Sequence, residues 1–350
     1  MNNGTKLLPN TILVSCPNWV GDVVMATPTL DCLRKNFPKA RLIGLIRRYS
    51  RGVVEDGPWF DELLECNDKT IGGFFDLVGR LRRMKPDLAI MLPNSFRSAL
   101  IARLGGSKKI YGYRRNGRSL LMSGGPQPHR EGTRIVPIPM REYYLEICRF
   151  LDLAVPEQIR PSLYISDPLQ HKGDALLERY GISVNDLVIG LNPGAKFGSS
   201  KCWPPEYFAE LTELLAKRWS CKILLFIGPG ENAIGDRISD LSKAPIINTG
   251  PDNVDLAVLK PLIKRCQLLV TNDTGPRHYA VAFDVPTVVI MGPTDPRYTH
   301  ANLEKTIVLR QDLGCSPCHL KECSEDHNCM KGISPDAVLR AGEQLLKEQS

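Results

Sequence analysis

The stretch of this sequence richest in chemistry is LLVTNDTGPRHYAVAF, where Asp273, Thr274 and Gly275 close an apolar run and open a helical pattern. A helix starting there turns free backbone N–H groups, and the positive end of its dipole, toward any phosphate. His278 follows about one turn later, on a face that reaches the same phosphate; its alternative is a partly buried, hydrogen-bonded helix histidine. Asp273 would repel a phosphate, so its work is to orient the loop or to meet a sugar hydroxyl. A second loop, LNPGAKFGSSKCWPPEYF, sets Gly194, Ala195, Gly198, Ser199 and Ser200 where backbone amides can approach an anion, and Lys201 adds a point charge. The spacing is not that of a Walker A loop, and a plain connector with a surface lysine is the bland alternative. In FIGPGENAIGD, Gly228 and Gly230 precede Glu231, a carboxylate positioned to accept from ribose hydroxyls.

Near the start, SCPNWVGDVVMATPTL places Gly21 at a turn and Asp22 at a helix start. The G-x-G-x-x-G spacing of a dinucleotide site is absent. Two readings of Asp22 stand: a helix-capping aspartate, or a carboxylate that takes a proton from a substrate hydroxyl. Toward the end, Cys315, Cys318, Cys323 and Cys329 lie close together with His319 and His327. Their spacing is tighter than the paired C-x2-C of common zinc modules, so buried free thiols rank ahead of a structural metal or a redox-labile clip.

Positioning such loops takes strands. Short β-branched runs recur at 11–15, 41–46, 87–92, 109–113, 187–192, 222–227, 246–248, 267–271 and 286–291, with helical patterns at 22–36, 74–84, 96–104, 205–219, 254–265 and 274–283. Several runs, such as LVIGL and ILLFI, are continuously apolar, as strands covered by helices on both faces are. The class is α/β with parallel sheets, and ligands then belong at the carboxyl ends of the strands. A Pro-rich polar segment around 155–186 separates two halves, 1–168 and 169–350. Ser334 and Pro335 open a final helix, about 334–348, expected to pack back on the first half.

The 350 residues fit two ordinary domains, and no apolar run approaches the roughly 18–20 residues of a membrane span. The first fifteen residues do not read as a secretory signal, and eleven mostly scattered cysteines suit a reducing compartment. The net charge of +7 is unevenly spread: residues 1–150 carry 24 Lys and Arg against 13 Asp and Glu. No acidic residue falls between Asp87 and Glu131, a stretch holding Arg97, Arg103, Lys108, Lys109, Arg114, Arg115, Arg118 and Arg130. Such a surface attracts phosphates on lipid, nucleic acid or substrate, but no nucleic-acid-binding signature accompanies it.

Taken with ILVSCPNWVGDVVMATPTL, NPGAKFGSSKCWP, TNDTGPRHYAVAFDVPTVVIMGPTDP and CSPCHLKEC…CMKGISP, the sequence closely resembles the heptosyltransferases of bacterial lipopolysaccharide core synthesis (glycosyltransferase family 9), above all those that add the second heptose. The resemblance implies a GT-B fold, with two Rossmann-like domains, the acceptor site in the first and the nucleotide-sugar site in the second. It implies inverting transfer of L-glycero-D-manno-heptose from ADP-heptose to the first heptose of the Kdo-lipid A inner core. In matching positions Asp22 is the general base, Lys201 meets the donor phosphates, Glu231 meets the ribose, and Asp273, Thr274, Gly275 and His278 hold the diphosphate and heptose, with Gly194 in the same donor loop. No cofactor is implied, and no Asp-x-Asp pair is present to carry a metal ion. The acceptor would be an anionic glycolipid, and the enzyme a cytoplasmic protein in peripheral contact with the inner membrane. A transferase of the same fold using another nucleotide sugar, or a Kdo-terminated acceptor, is the nearest alternative.

Overall fold

A computed structural model describes residues 8–348. The chain divides into two compact units, one ending at Pro161 and the other beginning at Ser162.

In the first unit, β1 (Thr11–Ser15) leads to α1 (Val20–Met25) and α2 (Thr27–Asn36). The sequence suggests one helix here. It breaks because the Ala26 N–H closes α1 on the Asp22 and Val23 carbonyls, and Pro28, in the first turn of α2, has no N–H to continue the ladder. There follow β2 (Arg41–Ile46), α3 (Arg51–Val54), β3 (Glu62–Glu65), α4 (Ile71–Met84), β4 (Leu88–Met91), α5 (Phe96–Leu104), β5 (Lys109–Gly112), the small ribbon β6 (Arg130–Glu131) and β7 (Arg134–Ile135), and α6 (Met140–Phe150). The five-stranded sheet is parallel throughout, in the order β3-β2-β1-β4-β5. Leu13, Ile43, Leu64, Ala89 and Ile110 point from it into a buried cluster with Leu77, Leu81 and Ile101 of the covering helices.

The second unit runs α7 (Asp167–Arg179), β8 (Leu187–Asn192), α8 (Pro205–Arg218), β9 (Cys221–Leu225), α9 (Asn232–Leu241), β10 (Ile247–Asn248), α10 (Leu259–Arg265), β11 (Leu268–Asn272), α11 (Gly275–Ala282), β12 (Thr287–Ile290), β13 (Thr306–Leu309), α12 (Asn328–Lys331) and α13 (Pro335–Lys347). Its six strands are again parallel, in the order β10-β9-β8-β11-β12-β13. A boundary at 168 would cut α7, which packs on α10 so closely that a Cβ on Gly173 would lie 2.5 Å from Pro261. The final helix starts as its sequence indicates, with Ser334 Oγ accepting from the Ala337 N–H. Its apolar face is used within the second unit: Val338, Ala341 and Leu345 join the core of Trp203, Leu268 and Val288, with α13 lying on α8 and on β11, β12 and β13.

Chain order reverses beside the first strand of each sheet, between β1 and β4 and between β8 and β11. At such switch points the loops leaving neighbouring strands diverge and open a crevice at the carboxyl edge. Asp22 lies after β1; Lys201 and Asp273 lie after β8 and β11. No helix among the described residues is long and apolar enough to cross a membrane.

Candidate active site

At the switch point of the second unit, Asp273 organises the surrounding side chains. It sits directly after β11, and its carboxylate is almost wholly buried. Arg277, one turn into α11, donates from Nη1 to Asp273 Oδ1 at 2.6 Å, and Thr294 Oγ1 donates to Oδ2 at 2.6 Å. Lys201 Nζ donates to Oδ2 at 2.9 Å and to the Asp273 carbonyl at 2.8 Å. Burial alone would raise this carboxyl's pKa. The charges of Arg277 and Lys201 and the Thr294 hydroxyl outweigh burial and hold it well below the usual carboxylate range. Asp273 therefore faces inward, anchoring two cations, and the largely buried lysine has its ammonium 5.2 Å from the Phe197 ring centre.

The backbone around it is tied as firmly. Asn192, the last residue of β8, donates to Thr271 Oγ1 at 3.0 Å and Thr274 Oγ1 at 3.1 Å. Asn272 donates to the Pro193 carbonyl and accepts from the Trp203 N–H. Thr274 precedes the first turn of α11 without capping it by its side chain, so the N–H groups at Gly275 and beyond are turned toward a prospective anion. Glu231 lies against the β8 loop: its carboxylate accepts from the Gly228 N–H at 3.1 Å and touches Gly194, where a Cβ would come within 2.0 Å of Oε2. The two loops thus share a space that only glycine at 194 leaves open.

His278 is buried on α11. Burial and the neighbouring Arg277 and Lys201 charges push its pKa down to about 3, against the opposing pull of Asp273. At neutral pH it is an uncharged imidazole, with one N–H to donate and one ring nitrogen to accept, rather than a cation. In the unfolded chain it takes a proton near pH 6.5. Stability is therefore full above about pH 6.5 and falls on acidification toward pH 3, by at most about 1.4 kcal/mol per pH unit from this group. The depressed Asp273 adds a loss of the same sign below about pH 4. His278→Gln is expected to flatten denaturant-unfolding stability between pH 6.5 and 4. An unchanged slope would assign the acid loss to other groups.

In the first unit, Asp22 lies inside the opening turn of α1 and does not cap it; Trp19 holds the cap position and supplies no side-chain bond. The carboxylate is half-buried. Tyr144 of α6 hydrogen-bonds to it, and burial followed by the Asp22 charge raises the tyrosine pKa well above its ordinary value. Tyr144 thus stays a donor and keeps Asp22 an acceptor. Behind it Tyr143 stacks on Tyr113 at 3.7 Å and bonds to Asn94.

The basic stretch divides. Arg118 is fully buried and donates to the Pro93 and Tyr113 carbonyls, so it is a framework residue rather than part of a phosphate-attracting surface. Arg97 is bound to Asp68 and Lys108 to Asp87. Arg103, Lys109, Arg114 and Arg130 are exposed.

The four cysteines line one cavity of about 330 Å³, three from the irregular segment before α12 and Cys329 from α12 itself. Cys315, Cys318 and Cys323 are exposed and Cys329 is buried, all as free thiols. Among the described residues no three His, Cys, Asp or Glu side chains are grouped to hold a metal ion. His327 is engaged elsewhere, on the Ser200 carbonyl at 2.7 Å.

Sequence reasoning missed Arg277 and Tyr144; Thr294 stands in the MGPTDPRYT run, which the sequence places at the cleft after an apolar strand, though not against Asp273. The i,i+4 spacing of Asp273 and Arg277 was a usable signal; Thr294 and Tyr144 reach their partners through tertiary folding alone.

Residues 74–328 match glycosyltransferase family 9 (heptosyltransferase). Lipooligosaccharide heptosyltransferase 2 of Campylobacter jejuni is 28% identical over 96% of this chain and 98% of its own. Lipopolysaccharide heptosyltransferase 2 of Escherichia coli K12 is 28% identical over 97% and 99%. The solved structure of E. coli ADP-heptose lipopolysaccharide heptosyltransferase II covers 97% of this chain and 99% of its own, with 27% identity and a TM-score of 0.79.

Proposed function

The chain belongs to glycosyltransferase family 9, the heptosyltransferases, and from that premise we propose that it moves L-glycero-D-manno-heptose from ADP-heptose onto the first heptose of the Kdo-lipid A inner core, with inversion. Asp22 takes the proton of the attacking hydroxyl. Lys201 and the N–H groups opening α11 stabilise the charge that grows on the β-phosphate as the sugar–phosphate bond breaks. Nucleoside diphosphate is a good leaving group, so the remaining work is positioning. Glu231 holds the ribose, and His278, neutral, donates to a phosphate or sugar oxygen. The acceptor is an anionic glycolipid, and the enzyme works at the cytoplasmic face of the inner membrane.

The observation that best supports this reading is the Asp273 anchor, which holds the Lys201 ammonium beside the start of α11 at the β8/β11 switch point. The test is ADP release from ADP-heptose, with EDTA present, against acceptors ending in one heptose or in Kdo. Release with the heptose-ended acceptor is expected. Release with the Kdo-ended one instead would make this a first-heptose transferase, and release with neither would point to another nucleotide sugar.

Glu231 has its own test. In Gly194→Ala the new methyl must displace the Glu231 carboxylate, the far end of a flexible side chain, so the fold tolerates it. ADP affinity measured by titration calorimetry should fall about tenfold, about 1.4 kcal/mol, the low end of the value of one charge-assisted hydrogen bond. Unchanged affinity would remove Glu231 from the nucleoside site.

A further inference from the structure

A parallel sheet sends every strand's following loop to the same edge. In the first unit each of the five strands is followed by a large exposed apolar side chain: Trp19 after β1, Tyr49 after β2, Ile71 and Phe75 on the opening turns of α4 after β3, Phe96 at the start of α5 after β4, and Leu120 after β5. Leu120 is 96% exposed and Ile71 79%. Exposed apolar residues scattered singly need no explanation; one at every loop tip along one edge is not scatter. The other exposed large apolar side chains of this unit, Leu8, Leu104 and Phe150, lie before β1 or at helix ends.

Cations are interleaved with them. Arg48, Lys69 and Arg114 are exposed on these loops and form no ion pair among the described residues. Arg47 and Arg97 share the one carboxylate of Asp68. Exposed Asp76, and Glu65 at the carboxyl end of β3, stand against them. Aromatic and leucine side chains at headgroup depth, with cations toward phosphates, are how a protein lies on an anionic bilayer.

We propose that this edge is a membrane-docking surface: the apolar tips enter the headgroup boundary of an anionic phospholipid bilayer while Arg48, Lys69 and Arg114 meet its phosphates. The inference rests on the reading that the acceptor is a membrane glycolipid, and it deepens that reading. Asp22 lies on the same edge, so docking carries the base to the membrane surface.

The test is co-sedimentation of the full chain with vesicles free of glycolipid. One set is phosphatidylcholine alone and the other about three parts phosphatidylcholine to one part phosphatidylglycerol, in physiological salt. Binding to the anionic vesicles is expected and to the neutral ones is not. The pair Phe75→Ser and Leu120→Ser should lower that binding at least tenfold, and Lys69→Gln with Arg114→Gln should reduce its salt dependence. Transfer to a deacylated, water-soluble acceptor should be unchanged in Phe75→Ser/Leu120→Ser. Absent vesicle binding, or binding insensitive to both pairs, overturns the docking surface, even where transfer to the soluble acceptor survives and upholds the activity. Variant-sensitive vesicle binding without transfer leaves docking standing and removes the activity.

Discussion

Asp22→Asn should lower turnover by about 10²–10⁴-fold, the usual worth of a positioned general base, while leaving ADP affinity unchanged within about twofold, a difference of well under 1 kcal/mol. The substitution keeps the size of the side chain and an oxygen for the Tyr144 hydroxyl, so the packing of α1 on α6 has no reason to change. What it removes is the ability to take a proton. Donor affinity should hold because every residue assigned to the diphosphate and ribose lies beyond Ser162, in the other unit. Single-turnover transfer and ADP titration on the same preparation separate the two quantities. A variant keeping more than about a tenth of wild-type turnover would mean that Asp22 is a helix-dipole partner and no base.

The parts of the site legible in sequence are those determined locally. Apolar runs long enough to cross a sheet were readable to within a residue or two, as β1, β2 and β8 show. Loops at their carboxyl ends then carried the functional candidates, because a parallel sheet puts them there. The misses have separate physical causes. β3 (ELLE) and β13 (TIVL) lie toward or at a sheet edge, where fewer faces are covered and the apolar signal is short or diluted by charge. The α6 sequence MREYYLEICRF carries three aromatic residues, which weaken its helical signal, and its amphipathic face becomes decisive only when Tyr144, Leu145 and Cys148 are packed. That helix carries Tyr144, so missing the element meant missing the residue that orients Asp22. The helical pattern over 254–265 is longer than the helix that forms. Asp255 turns its carboxylate back to the Ala257 and Val258 N–H groups, and the helix starts only at Leu259. For Asp273 the sequence offers two roles, orienting the loop or meeting a sugar hydroxyl, and names neither Arg277 nor Lys201 as the cations it holds.

That anchor sets the second large effect. Lys201→Ala should weaken donor binding by about 10- to 100-fold and lower turnover by about 10²–10³-fold, the scale on which removing one preorganised donor from a developing oxyanion acts. It should do so with little loss of fold. Asp273 keeps the Arg277 guanidinium and the Thr294 hydroxyl, so no buried charge is left without a partner. The contrasting variant is Asp273→Asn, which keeps the shape of the anchor but discards its charge. Arg277, 1% exposed and with Nε already without a hydrogen-bond partner, would then be a buried cation facing a neutral amide. Breaking such a pair from one side costs about 3–5 kcal/mol. Lys201→Ala should therefore lose function at nearly unchanged thermal stability, and Asp273→Asn should lose stability first. Thermal unfolding and ADP titration on the two variants read both outcomes. If Lys201→Ala bound donor normally, the ammonium would be a structural tether for Asp273, and the charge facing the diphosphate would have to come from the start of α11 alone.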